Sequence, residues 1–381
     1  MSQLHQILVG DCIDMMRTLP DESVHTCVTS PPYYGLRDYG VDGQIGLEET
    51  PAEFIARLVD VFREVRRVLR ADGTTWVNMG DSYATGGRGG GGSYMAERGD
   101  GAWQGKGSAT GWRSAPEGLK HKDLMGMPWR LAFALQEDGW YLRQDIIWSK
   151  PNPMPESTRD RCTKAHEYIF LLSKSRQYYY DQDAVKEPVA ASSIVRLAQD
   201  LEQQHGSDRV PGKSNGSMKA VRARRDSFKR DDSKREQAIP GQSVGTHRPD
   251  REESAYPLDM RNKRSVWSVP TVGFKGAHFA TFPPDLIRPC ILAGAPRGGV
   301  VLDPFGGAGT TSLVSMQEGR RSIICELNPE YAALARARID AAWLDGAAQM
   351  DVFHDAKPAA SIQTPSLAMS LSSAAAACIL I

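Results

Sequence analysis

Apolar and polar positions along the first 80 residues follow the rhythm of an α/β chain. Gln6-Ile7-Leu8-Val9 is a short apolar run that stops at Gly10-Asp11, and residues 24–28 form another that runs into Thr29-Ser30-Pro31-Pro32-Tyr33. Apolar runs of this length bounded by turn residues predict buried strands. Between residues 50 and 70 the period changes, and Phe54, Leu58, Val61, Val65, Val68 and Leu69 share one helical face. Thr50 and Glu53 make a capping box, Pro51 stands at the first helical position, and Asp72-Gly73 ends the segment. A strand over 74–79 follows.

From Gly80 to Gly111 the pattern breaks into a glycine-rich stretch that includes Gly89 to Gly92. So much glycine offers no side chains to bury and a large unfolded-state entropy, so the stretch reads as a surface loop or as a substrate-contacting lid. Order returns with a predicted helix over 127–137 and strands over 140–148 and 167–173. Residues 186–264 are polar and lack apolar periodicity. The last third is α/β again, with strands over 300–302 and 322–325 and a helix between them that stops at Gly319. Asn328 caps a further helix with Pro329 at its start, and Ala335, Ile339 and Trp343 align along it. After about residue 345 the chain turns Ala/Ser/Gln-rich and reads as a fraying tail.

Length and composition narrow the class. At 381 residues, the usual figure of roughly 150 per domain predicts two or three domains, or one large α/β unit with insertions. Apolar residues make up 41% and charged residues 24%, which excludes collagen-like, coiled-coil and wholly disordered chains. No run approaches the ~20 apolar residues of a membrane span, and the start of the chain lacks a charged-then-apolar leader, so a cytoplasmic protein with no membrane partner is expected. The six cysteines are scattered without a C-x-x-C pair, so neither a zinc ribbon nor a disulfide scaffold is expected, nor any metal. Lys+Arg and Asp+Glu are equal at 46 each. Any polyanionic partner must therefore be met locally. The polar insert has that local bias: Lys213, Lys219, Arg222, Arg224, Arg225, Lys229 and Arg230 cluster within it. Such a run reads either as a solvated linker or as a nucleic-acid contact.

Two strand tips carry candidate chemistry. The first is Asp303-Pro304-Phe305-Gly306-Gly307-Ala308-Gly309-Thr310-Thr311, a glycine turn between a strand and a helix start. Its free amides suit an anionic group, and Glu326, closing the next strand about 20 residues on, can take both hydroxyls of a ribose. Neither G-x-G-x-x-G nor a P-loop is present. Asp303 would repel a pyrophosphate but could pair with an α-ammonium group. That combination suits S-adenosylmethionine, an amino acid nucleoside without phosphate. The second tip is Ser30-Pro31-Pro32-Tyr33. It reads as a rigid proline turn or as a turn offering free carbonyls and an aromatic ring for stacking.

The pairing resembles the amino-methyltransferases of DNA, whose catalytic motif is Asp/Asn/Ser-Pro-Pro-aromatic and whose cofactor motif is F-x-G-x-G. The catalytic motif comes first here, as in the circularly permuted β class. Lys150-Pro151-Asn152-Pro153-Met154-Pro155, His166-Glu167-Tyr168 and His278-Phe279-Ala280-Thr281-Phe282-Pro283 resemble further motifs of that class. The resemblance implies a Rossmann-like S-adenosylmethionine-dependent fold with a mixed, mostly parallel seven-stranded sheet and permuted motif order. It divides the chain into a catalytic half (1–185), a target-recognition insert (186–264), a cofactor half (265–345) and a flexible tail (346–381). It implies that Ser30 and the Pro31 carbonyl hold the target amine, with Pro32 stiffening the turn, and that Tyr33 stacks on a flipped-out base. By the same likeness His278, Phe279, Ala280, Thr281, Phe305, Gly306, Gly309, Thr310 and Thr311 line the methionine end, Glu326 holds the ribose and Asp11 lies near the adenine. The implied partner is double-stranded DNA; a cognate restriction endonuclease and a homodimer are compatible with the family. Ser in the first motif position leans toward N4 of cytosine, with N6 of adenine as the alternative. A catalytically idle DNA-binding module would be expected to lose the Ser-Pro-Pro-Tyr turn or the glycines, and methyltransferases of protein or RNA usually place the cofactor motif first.

Overall fold

The computed structural model describes residues 4–35, 40–84, 95–97, 103–105, 118–190, 260–271 and 281–354. Its strands are β1 (His5–Val9), β2 (Val24–Thr29), β3 (Leu69–Met79), β4 (Met95–Glu97), β5 (Trp103–Gly105), β6 (Tyr141–Ser149), β7 (His166–Ser173), β8 (Glu187–Pro188), β9 (Met260–Arg261), β10 (Val266–Ser268), β11 (Val300–Asp303) and β12 (Arg321–Glu326). The helices are α1 (Cys12–Arg17), α2 (Pro51–Val68), α3 (Met127–Glu137), α4 (Pro284–Gly294), α5 (Thr310–Gln317) and α6 (Pro329–His354).

One mixed sheet runs in the order β1-β12-β11-β2-β3-β7-β6-β10. The neighbours from β1 to β3 are all parallel, β7 is antiparallel to both β3 and β6, and β10 is parallel to β6. The expected mostly parallel sheet is therefore present, but with eight strands among the described residues where seven were expected. The additional strand, β10, is three residues long, too short to leave a period in the sequence. The chain's first strand pairs with its last, and β11 sits between β12 and β2. The expected catalytic and cofactor halves thus share one sheet.

Strand residues alternate between two apolar layers, as the period-2 geometry of a strand requires. Cys27, Val77 and Phe170 pack with Phe54, Leu58 and Phe62 of α2 and Leu131 and Leu135 of α3. Their neighbours Val28, Trp76 and Ile169 pack on the other face with Leu286, Ile287 and Ile291 of α4. The capping box of α2 forms as expected: Glu53 N donates to Thr50 Oγ1 at 3.2 Å, and Thr50 N donates to Glu53 Oε2 at 3.1 Å.

Three boundaries differ from expectation. The strand expected from residue 74 begins at Leu69, directly after α2, and slips register opposite Val24–Thr26. The glycine-rich stretch contains a short antiparallel pairing, Met95↔Gly105 to Glu97↔Trp103. The last helix continues past residue 345 to His354, where a fraying tail was expected. No helix among the described residues is long and apolar enough to cross a membrane. The basic residues Lys213 to Arg230 lie outside the described residues.

Candidate active site

Parallel strands bring their C-terminal tips to one edge of the sheet, where ligands of open α/β folds bind. Here that edge collects Gly10-Asp11 after β1, Ser30 to Tyr33 after β2, Pro304, Phe305 and Gly307 after β11, and Glu326 to Asn328 at the end of β12. They line a cavity of about 430 Å³. Small-molecule pockets typically hold about 300–1,000 Å³.

At one end Glu326 is fixed by two backbone donors, Gly307 N to Oε2 at 2.7 Å and Asn328 N to Oε1 at 2.9 Å. Burial pushes its carboxyl above the ordinary glutamate range, opposed by those two bonds. Asp11 caps α1, accepting from Ile13 N at 2.9 Å and Asp14 N at 3.3 Å, and its Oδ2 pairs with Arg57 at 3.3 Å. Phe282, Phe305, Leu327 and Tyr331 add apolar and aromatic groups to the cavity wall.

Asp303 is not on the wall. It is 1% exposed and accepts from Thr29 Oγ1 at 2.7 Å, Phe305 N at 3.0 Å and Thr311 Oγ1 at 2.6 Å. Burial raises its pKa and these three bonds oppose the rise. Its observed work is to tie the β2 tip to the β11 turn and the start of α5. The expected pairing with an α-ammonium group gives way to this inward arrangement, because three donors already surround the carboxylate. Gly306 and Gly309 are likewise packing glycines: a Cβ at Gly306 would lie 2.7 Å from Ile324, and Gly309 has φ +76° with Ala335 2.9 Å from a Cβ placed there. Thr310 and Thr311 are buried behind the wall. Gly307 faces the cavity instead.

Ser30, Pro31, Pro32 and Tyr33 line the same cavity, together with Asn78, Trp148, Lys150 and Glu167. Tyr33 Oη donates to Glu167 Oε2 at 2.8 Å. Burial and the neighbouring Glu167 charge push the Tyr33 pKa well up, opposed in part by Ser30 and Gly80. Lys150 Nζ binds Glu167 Oε1 and stands 4.3 Å above the Trp148 ring, and Asn78 Nδ2 donates to Glu167 Oε2 at 3.3 Å.

The ring of Tyr33 leaves no room at Gly80, where a Cβ would come within 2.7 Å of Tyr33 Cε2 and 3.2 Å of the Glu167 carboxyl. We expect Gly80→Ala to push both groups off position at a cost of about 1–3 kcal/mol of overpacking. Thermal denaturation should show a lowered Tm, and an unchanged Tm with unchanged activity would show that the ring moves freely.

Of the residues expected to hold a cofactor, Asp11, Thr281, Phe305 and Glu326 line the cavity. Asp303, Gly306, Gly309, Thr310 and Thr311 support it from behind, and His278, Phe279 and Ala280 lie outside the described residues. Sequence reasoning assigned no role to Asn78, Lys150, Glu167 or Tyr331, and gave Asn328 only a helix cap. Lys150 and Glu167 did stand inside motifs already singled out. Only the β6–β7 register, with Trp148 opposite Glu167, brings them together. Among the described residues no cluster of three or more His, Cys, Asp or Glu side chains could hold a metal ion.

A family profile described as DNA methylase, covering N6 and N4 methyltransferases, matches residues 24–337. The type II methyltransferase M.Cfr9I of Citrobacter freundii is 45% identical over 331 residues, covering 87% of this chain and 86% of its own. M.SmaI of Serratia marcescens is 44% identical over 335 residues, covering 88% and 90%. In fold the chain is similar to the PvuII DNA methyltransferase (cytosine-N4-specific), with a TM-score of 0.51 at 17% identity over 87% of this chain and 84% of that one. S-adenosylmethionine is the methyl donor of such enzymes, and the donor set here fits it: a carboxylate at Glu326 for ribose hydroxyls and an aromatic and aliphatic slot beside it. With the matched span running from β2 into α6 and relatives covering most of both chains, the protein belongs to the N6/N4 DNA methylase family.

Proposed function

We propose that this protein transfers a methyl group from S-adenosylmethionine to the exocyclic N4 amine of a cytosine flipped out of double-stranded DNA. The observation that carries the reading is the acceptor pair at the β2 tip. The Ser30 hydroxyl oxygen carries lone pairs, the Pro31 carbonyl follows it in the turn, and both residues line the same cavity as Glu326. Two acceptors on one amine fix its orientation and aim the nitrogen lone pair along the cavity toward the cofactor end. Held this way, the amine pays its orientational cost before reaction. The bound cofactor supplies an electrophilic methyl on a sulfonium. Glu326 and Asp11 hold the nucleoside end, and the Tyr33 ring offers the flipped base a face. Flipping itself costs a few kcal/mol.

Serine in the first motif position supports cytosine over adenine. Digesting DNA methylated by the protein to nucleosides and identifying the modified base by mass tests this: N4-methylcytosine is expected, and N6-methyladenine would overturn it. The type II designation of the relatives supports a role in restriction and modification, with a cognate endonuclease as partner.

The basic insert, with Lys213, Lys219, Arg222, Arg224, Arg225, Lys229 and Arg230, is assigned here to target recognition. Removing one cation from a phosphate lowers the slope of log affinity against log salt by about 0.9. Deleting residues 213–235 should therefore weaken DNA binding and flatten its salt dependence in a filter-binding titration. An unchanged affinity and slope would make the insert a linker.

A further inference from the structure

Taking a cytosine out of a duplex leaves a gap between the neighbouring base pairs, and the acceptors at Ser30 and Pro31 act only after the base has left the stack. The rim of the cavity carries a side chain suited to that gap. Met154 lines the cavity yet is 86% exposed, the most exposed large apolar side chain among the described residues. A single exposed apolar residue is ordinary on a protein surface. Met154 differs in how firmly its backbone is held. It stands in Pro151-Asn152-Pro153-Met154-Pro155, where each proline fixes its own φ and pushes the residue before it to extended geometry. Asn152 clamps this loop to the segment after β10: its Nδ2 donates to Thr271 O at 3.0 Å, and its Oδ1 accepts from Thr271 N at 2.8 Å. The Thr271 hydroxyl adds a bond to Asn152 O at 3.3 Å. Lys150 N closes the base of the loop by donating to Ala165 O at 2.8 Å.

On the base-flipping reading above, we propose that Met154 is a wedge that enters the duplex and fills the place left by the flipped cytosine. Apolar side chains, methionine among them, insert between base steps and hold them apart. An unbranched thioether adapts its shape to the stacked faces on either side, and it buries there an apolar surface that the free protein leaves in water. A side chain that merely completed the protein's own packing would be covered by that packing, and Met154 is not. Its place on the rim matters as well. A base that enters the cavity leaves its gap at the cavity mouth, where Met154 stands. Because the prolines and the Asn152 clamp already hold the loop, insertion costs the freedom of one side chain and little backbone freedom.

Single-turnover methyl transfer tests the wedge in wild type, Met154→Ala and Met154→Leu, on short duplexes carrying the site mapped from the wild-type reaction. One duplex pairs the target cytosine with guanine. The other sets it opposite an abasic position, so that no pair has to be broken. On the paired duplex Met154→Ala is expected to transfer about 10–100-fold more slowly, the worth of burying one large apolar side chain. The fluorescence of pyrrolocytosine placed at the target position, which reports the flipped base, should fall with the rate. Cofactor affinity and Tm should stay at wild type, since the side chain is exposed in the free protein. The abasic duplex should restore most of the Met154→Ala rate, because flipping costs least where the base is unpaired. Met154→Leu should keep most of the wild-type rate on either duplex. Wild-type transfer by Met154→Ala on the paired duplex would overturn the wedge. So would an equal loss on both duplexes, which would place the side chain against the flipped base or the cofactor instead of in the stack. A wild-type protein that methylated no cytosine would instead sink the functional reading, and the wedge with it.

Discussion

Replacing Ser30 by alanine is expected to leave S-adenosylmethionine bound at wild-type affinity and to slow methyl transfer by roughly 10²–10³-fold, the cost of losing one oriented hydrogen bond at a reacting centre. The two effects separate because of which residue does which job at the β2 tip. Thr29 makes the bond to Asp303 that steadies the cofactor turn. Ser30, one residue on, lines the cavity. Removing the Ser30 hydroxyl therefore leaves the Thr29–Asp303–Thr311 ties in place. Calorimetry with the cofactor and single-turnover kinetics on the same preparation check both halves. A Ser30→Ala protein transferring at the wild-type rate would show the turn to be structural.

Glu326→Ala should weaken S-adenosylmethionine binding by on the order of 10²–10⁴-fold. Two hydroxyl contacts to a charged group are worth about 1.5–3 kcal/mol each, and each 1.4 kcal/mol is about tenfold in affinity. The same substitution strips the acceptors from Gly307 N and Asn328 N, so the loosened turn adds to the loss. Unchanged affinity in a folded Glu326→Ala protein would remove Glu326 from the site. The pH dependence has a definite sign. Burial raises the Glu326 pKa above the ordinary value of about 4.3, and the protonated group offers fewer acceptor sites. Affinity should therefore be full above the raised pKa and fall as pH drops through it, sooner than for an exposed glutamate. On the empty fold the sign is opposite. The raised pKa favours the folded state most at low pH, and that contribution is lost as pH rises through the folded value. Calorimetric titrations at several pH values separate the binding effect from it.

Much of the site was legible because its residues sit where strands end. The tips at Gly10-Asp11, Ser30-Pro31 and Glu326 are marked by apolar runs stopping at polar or proline-rich turns, and all three face the cavity. The glycine turn was legible as a turn but not in its detail. Gly306 is required by the Ile324 side chain across the turn, whereas Gly307 carries the amide that holds Glu326. Nothing local distinguishes those two glycines. Asp303 was assigned outward because an acid at a strand tip commonly meets a ligand, yet Thr29, 274 residues away in sequence, turns it inward.

By itself the sequence determined most of the larger elements and some of their ends. Helix α3 occupies Met127–Glu137 as its periodicity predicts, and Thr50 and Glu53 cap α2, because periodicity and capping depend on residues within one or two turns. Only the tertiary structure decided the order in which the strands lie and the register in which they pair. The insertion of β11 and β12 between β1 and β2, the short eighth strand and the placing of Lys150 against Glu167 depend on hydrogen bonds between residues distant in the chain. Such bonds leave no local period. They decide which polar groups meet in the cavity and which are buried behind it.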